Sequence, residues 1–294
     1  MSAMKKITQT LLDRMRSSLQ TLSPAEKRVA MTLIADFPIT GLKTLVEIAS
    51  AAGVSAATVS RFTETIGFSS FPEFQRALHG DVVARFSSPG ALFERLPGPA
   101  PDAGDPANST RLFSRLISQT MDSLNMDEVR SFVEKLADPK RTIYFLGGRQ
   151  STSIARYFQQ LLHNVRSKTV FIETVDTAAI DMLLELDARA TLVAFDFRRY
   201  QQDTADFVQA ADARKAQIVL ITDPYMSPAV KFASQAFICH TETGFPFDGY
   251  TSALALVDFF MHQIFVTSGE KVHDRISRLE SVREEFGLEY VLKQ

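Results

Sequence analysis

The sequence predicts two domains: an all-α N-terminal domain, then an α/β domain built on a doubly wound parallel sheet of the flavodoxin-like or Rossmann-like kind. Three observations predict it. Up to residue 86 the apolar residues recur only at helical spacing; a stretch rich in Pro and Gly then breaks the pattern; beyond it, short apolar runs alternate with helical segments. The expected bounds are 1–86 for the helical domain, 87–109 for a linker and 110–294 for the α/β domain.

The elements follow in order. Ile7, Leu11, Leu12, Met15 and Leu19, broken by polar residues, mark an amphipathic first helix rather than the apolar core of a signal peptide. Ser23-Pro24-Ala25-Glu26 is a capping box with Pro at the first helical position. It opens a helix whose apolar face is Val29, Leu33, Ile34 and Phe37, and Pro38 stops it. A further helix runs through Leu45, Ile48 and Ala49, and another through Val59, Phe62 and Ile66. Residues 87–90 and 97–106 concentrate Pro, Gly and small polar residues, the composition of a linker.

Two helices are expected next, over 110–124 and 126–137, the second opened by Asn125 with Glu128 three residues on. Apolar runs at 142–146, 168–172, 191–197, 217–222 and 236–239 read as strands buried on both faces. Helical patterns at 154–165, 177–186 and 203–214 separate them, so the strands run parallel and ligands belong at their carboxyl ends. A final pair of helices is expected over 251–267 and 269–285.

Composition bounds the function. With 294 residues, 45% hydrophobic and 22% charged, the chain has ample material for two packed cores. Its single cysteine, Cys239, excludes an intramolecular disulfide framework and suits a reducing compartment. No apolar stretch is long enough for a membrane span, which points to a cytoplasmic protein with no membrane partner. The net charge of −2 conceals an asymmetry: residues 1–80 hold nine Lys or Arg against six acids. A basic end on an acidic body suits a phosphate-backbone partner, although such an excess also occurs on ordinary solvated faces.

The segment from Leu45 to Phe62 carries the most information. Two helices crossing steeply need a small residue where they touch and a turn residue tolerant of positive φ. Ala49 and Gly53 meet those needs; Ile48, Val54, Val59 and Phe62 fall where a core requires them, and Ser55 stands ready to cap the second helix. The outward face then carries Ala57, Thr58 and Arg61, short or basic groups suited to a major groove. This is a helix-turn-helix, and the expected DNA-binding residues are Lys43, Ser55, Ala57, Thr58, Ser60 and Arg61. The plainer alternative is a helical hairpin inside a bundle, with Gly53 a simple C-cap.

Together with the run 22–30, the residues Ile48-Ala49, Gly53-Val54-Ser55, 58–62 and 66–71 make the N-terminal part resemble the DNA-binding domain of RpiR-type bacterial transcription regulators. Residues 125–268 resemble the sugar isomerase (SIS) domain that such regulators carry. The resemblance implies a dimeric or tetrameric regulator, located in the cytoplasm and on the nucleoid when bound to DNA. It would bind operator DNA through the first domain and a phosphorylated sugar or related anionic metabolite through the second, and would control genes of carbohydrate metabolism.

In SIS domains a Gly-x-Gly-x-Ser turn follows the first strand, and a Ser-x-Ser-Gly-x-Thr loop after a later strand holds phosphate. Here the first is Gly147-Gly148-Arg149-Gln150-Ser151, with arginine at the second glycine. The second is Asp196-Phe197-Arg198-Arg199-Tyr200-Gln201, which keeps none of the hydroxyls. Arg149, Arg198 and Arg199 at strand ends offer guanidinium forks for an anion instead. The alternative is that they pair with acids such as Asp196 and Asp203, or form a dimer contact. The expected ligand-binding set is Gly147, Arg149, Ser151, Arg198, Arg199, Tyr200, Ser227 and Glu242, with Ser227 also a helix cap.

No catalytic set, metal site or cofactor is expected. His163 and His262 lie within helical patterns, and His79, His240 and His273 lack ligand spacing. Two other readings stand beside the regulator. One is a sugar-phosphate isomerase-like enzyme with Glu242 as its base; the other is a regulator with a degenerate ligand site that answers to a protein partner.

Overall fold

The computed structural model describes residues 11–35, 37–38, 40–86, 90, 93 and 104–287. The chain divides into two compact units, Met1–Arg95 and Leu96–Gln294. The segment 87–103, most of the expected linker, lies outside the described residues apart from two positions, as does Ile7.

The first unit is helical: α1 (Leu11–Ser18), α2 (Pro24–Ala35), a 3₁₀ turn at Thr40–Leu42, α3 (Leu45–Ala51), α4 (Ala56–Thr65) and α5 (Phe71–Phe86). Leu12, Met15, Val29, Leu33, Ile48, Val59, Phe62, Phe74 and Leu78 form its core, each nearly or fully buried. The Ser23 cap forms as the sequence predicts, with the Ser23 N–H donating to Glu26 at 3.0 Å. Helix α5 was not expected. Its signal was present in Ser69-Ser70-Phe71-Pro72-Glu73, where the Ser69 N–H donates to the Glu73 carboxylate at 2.6 Å.

The second unit runs α6 (Pro106–Asp122), α7 (Met126–Ala137), β1 (Thr142–Gly147), α8 (Thr152–Val165), β2 (Thr169–Ile172) and α9 (Thr177–Asp181), the last continuing as a 3₁₀ turn at Met182–Glu185. It proceeds through β3 (Ala190–Asp196), α10 (Gln202–Ala213), β4 (Gln217–Thr222), a 3₁₀ turn at Pro228–Phe232, β5 (Gln235–Ile238) and α11 (Thr251–Glu285). The expected boundary at 109/110 is corrected: residues 106–109 already form the first turn of α6. Asp105 caps that turn by accepting from the Ala107 N–H at 2.9 Å, and Pro106 needs no donor at the first position. The expected final pair is present: within α11 two helices meet at a kink at Ser268, whose φ of −138° is non-helical.

All five strands are parallel, in the order β2-β1-β3-β4-β5. Alternate residues of each central strand go to opposite faces, and both faces are apolar. Ile143, Phe145, Val193, Phe195, Val219 and Ile221 pack under α7, α8 and α11, while Leu146, Leu192, Ala194, Ile218 and Leu220 pack under α9 and α10. Phenylalanine rings knit the first face, with Phe132 and Phe260 edge to face at 4.9 Å and Phe145 and Phe158 at 5.1 Å. No helix among the described residues is long and apolar enough to cross a membrane.

Phe158 is fully buried and touches four of the other phenylalanine rings. Phe158→Ala is expected to destabilise the α/β unit by about 3–5 kcal/mol in urea unfolding; a loss below about 1 kcal/mol would show that the ring does not hold the core together.

Candidate functional site

In the helical unit, α3 and α4 meet through a short turn. Thr44 and Glu47 close a reciprocal capping box at the start of α3, the Thr44 N–H donating to Glu47 at 2.8 Å. At its end Gly53 adopts φ +61°, which lets the Val54 N–H reach back to the Ala49 carbonyl at 3.0 Å. Ser55 caps α4, accepting from the Thr58 N–H at 3.2 Å. Ile48, Ala49, Val59 and Phe62 are buried as expected, while Val54 is only half-buried.

The expected DNA-binding residues divide accordingly. Lys43, Ser55, Ala57 and Arg61 are exposed; Thr58 and Ser60 are half-buried. The Thr58 hydroxyl lies 3.0 Å from the Ser55 hydroxyl and so shares in the cap. Of the N-terminal cations, Arg14 donates to the Ile66 carbonyl at 2.5 Å and sits 4.3 Å over the Phe68 ring.

In the α/β unit, β1 and β3 are neighbours whose outgoing connections diverge, and a cavity of about 200 Å³ opens at their carboxyl ends. Gly148, Arg149, Gln150 and Ser151 after β1 line one side of it. Asp196, Phe197, Arg198, Arg199 and Gln201 after β3 line the other, with Tyr250. The Ser151 hydroxyl donates to the Phe195 carbonyl at 2.7 Å and ties the two loops together. The Arg149 N–H donates to the Gln201 carboxamide oxygen, a second tie.

Two family models match the chain: the helix-turn-helix domain of the rpiR family over residues 9–85, and the SIS domain over residues 135–263. The chain joins an rpiR-family helix-turn-helix domain to a SIS domain. Together the two matched domains make it a helix-turn-helix transcriptional regulator with a SIS domain. It is 22% identical over 241 residues to an uncharacterized HTH-type transcriptional regulator of Haemophilus influenzae, covering 80% of this chain and 81% of that one. It is 29% identical over 148 residues to the HTH-type transcriptional regulator HexR of Pseudomonas aeruginosa, spanning about half of each protein, 49% and 50%. Among solved structures it shares the fold of Vibrio vulnificus NanR, complexed with ManNAc-6P. The TM-score is 0.55 at 18% identity, covering 94% of this chain and 98% of that one.

The SIS-domain cavity departs from expectation in four places. Gly147 is buried beneath the loop and does not line it; a Cβ there would stand 2.5 Å from the Thr152 backbone nitrogen, so the glycine permits the close approach of β1 to α8. Tyr200 turns away, its hydroxyl donating to Asp223 at 2.8 Å. Ser227 is fully buried, donating to Asp196 and capping the 3₁₀ turn by accepting from the Ala229 N–H at 3.1 Å. Glu242 accepts from the Tyr225 hydroxyl and is not part of the wall.

Arg149, Ser151, Arg198 and Arg199 do reach the cavity, but not as three equal forks. Arg198 is paired through Nη2 and Nε with Asp248, at 2.5 and 3.3 Å, and both side chains are buried. Its partner is thus neither Asp196 nor Asp203. Burial works against the Arg198 charge, and pairing with Asp248 more than offsets it. Arg199 occupies the fourth place of the loop, where the SIS pattern has glycine, and takes φ +72°. Its guanidinium lies 5.8 Å from the Phe247 ring, and its Nη1 is buried with no hydrogen-bond partner.

Sequence reasoning missed Gln201, Asp223, Asp248 and Tyr250. Asp196 and Asp223 follow the same rule, each closing or directly following a parallel strand and so standing at the ligand end of the sheet. Asp248 had no local signal, since its partner is fifty residues away. Asp223 accepts the Arg198 and Tyr225 N–H groups as well as the Tyr200 hydroxyl, and burial pushes its carboxyl up to about 6.

Burial likewise pushes the Asp196 carboxyl up from 3.8 to about 7, against the opposing bond from Ser227. Between those values the folded chain keeps a proton that the unfolded chain has released, so this group's contribution to stability falls as pH rises from about 4 to about 7 and is flat above. Asp196→Asn keeps a neutral hydrogen-bonding side chain. Urea unfolding at about pH 5 and about pH 8 is expected to show the variant gaining on the wild type by on the order of 2–4 kcal/mol; a difference that does not change with pH would contradict the assignment.

Proposed function

We propose that the protein binds operator DNA through α4 and senses, in the SIS-domain cavity, a small anionic metabolite: a phosphorylated sugar or another sugar derivative. The genes it controls are then those of carbohydrate metabolism, and it works in the cytoplasm, on the nucleoid when bound. The observation that carries the DNA reading is the two-sided character of α4. Val59, Phe62 and Thr63 are fully buried on one side, while Ala57 and Arg61 face solvent on the other, on a helix set by a glycine turn. A buried helix of a bundle has no such free polar face.

The ligand reading is supported by the cavity at the strand ends and by its cationic wall, Arg149 and Arg199. NanR, which shares this fold, is complexed with ManNAc-6P. A homodimer or homotetramer completes the reading, because two recognition helices related by a two-fold axis read a palindrome whose half-sites lie about one helical turn apart. The isomerase alternative draws no support from Glu242, which is engaged by Tyr225 outside the cavity wall.

The test uses a duplex selected by the wild-type protein from a random-sequence library. Arg61→Ala is expected to weaken binding by about 1–3 kcal/mol, roughly five- to 150-fold, with the melting temperature unchanged. Wild-type affinity should fall linearly on logarithmic axes as salt rises. A folded Arg61→Ala protein with undiminished affinity would remove α4 as the reading element.

A further inference from the structure

We propose that the SIS-domain cavity selects a monoanionic, carboxylate-bearing hydroxylated ligand of the sugar-acid class over a phosphate monoester, and that Gln201 enforces the choice. This rests on the reading of the cavity as a sensor site and narrows its ligand. The argument is an inventory of donors. A phosphate monoester at neutral pH carries close to two negative charges on three acceptor oxygens, and it needs several donors converging on one point.

Around this cavity five such donors, on both loops, are already taken by the protein's own acceptors. The Arg149 N–H is held by the Gln201 carboxamide oxygen, the Arg198 N–H by Asp223 and the Gln201 N–H by Asp196. The Arg198 guanidinium is held by Asp248, and the Ser151 hydroxyl is spent on the Phe195 carbonyl. The Gln201 oxygen lies so close over Gly148 that a Cβ there would come within 2.9 Å of it. A neutral oxygen thus sits on the β1 loop where an anionic oxygen would otherwise seat.

Two guanidinium groups remain open. Arg149 is exposed and has no ion-pair partner among the described residues, and Arg199 carries the buried, unpartnered Nη1. Two guanidinium groups match the two oxygens of a carboxylate. Asp196, in the same wall, accepts from ligand hydroxyls and repels a second negative charge. Burial holds its carboxyl partly protonated near neutral pH, which leaves that repulsion partial and the acceptor role intact.

The full-length wild type is titrated by calorimetry and thermal shift, at constant ionic strength, with D-gluconate, D-glucuronate, D-glucose 6-phosphate, inorganic phosphate and D-glucose. At least one of the two sugar acids is expected to bind about tenfold or more tightly than D-glucose 6-phosphate, the worth of one well-made charged hydrogen bond. Gln201→Thr frees the Arg149 N–H and adds a hydroxyl, and should strengthen inorganic phosphate and D-glucose 6-phosphate binding about tenfold. Gln201→Ala serves the same purpose if the threonine variant does not fold. Arg199→Gln should lose the sugar acid.

The inference is overturned if D-glucose 6-phosphate binds the wild type as tightly as the sugar acids, if none of the five binds, or if freeing the Arg149 N–H leaves the preference unchanged. Duplex binding by the ligand-free wild type is measured in parallel. A protein that binds DNA but prefers the phosphate ester defeats this inference alone; one that prefers the sugar acid but ignores DNA defeats the proposed regulator alone.

Discussion

The buried ion pair between Arg198 and Asp248 is the constraint on which the SIS-domain site depends. Both side chains are nearly out of contact with water, at 8% and 1% exposure, so each has given up its hydration. Two charges are tolerated there only because Asp248 meets both Nε and Nη2 of the guanidinium. The pair fastens the loop after β3 to the segment before α11. Arg199 follows directly in one and Tyr250 stands two residues further on in the other, so the pair sets two walls of the cavity. Asp223 and Asp196 extend the same principle, as buried carboxyls that accept the loop's amides from beneath.

Such an arrangement costs stability and yields a definite shape. Three carboxyls and an arginine grouped at the ends of β3 and β4 leave the cavity preformed in the absence of any ligand, because its loops are tied by the protein's own acceptors. The helical unit works differently. Its caps at Ser23, Thr44 and Ser55 are all made within three or four residues, and its turn rests on one glycine. Shape there is fixed locally, and the outward face of α4 is left to the partner.

That difference decides how much was legible in the sequence. The helix-turn-helix could be read nearly residue by residue, since capping, the small contact at Ala49 and the φ of Gly53 are local properties. The parallel sheet was equally readable: β4 falls at 217–222 as expected, because an unbroken apolar run between helices admits few other structures. Helix α5 escaped notice because its cap lies inside a motif read only for resemblance. At the cavity, position along the strands put Arg149, Ser151, Arg198 and Arg199 at the strand ends, where they line the wall. What each side chain binds was not readable, because Asp248, Asp223 and Phe195 reach the site from distant parts of the chain.

The most direct test of this account is a double-mutant cycle on Arg198→Met and Asp248→Leu, followed by urea unfolding. Removing one partner strands a buried charge, so each single substitution should cost about 3–5 kcal/mol, while the double substitution should cost less than either. Costs that simply add would mean the two side chains do not hold each other, and the cavity would need another explanation for its shape.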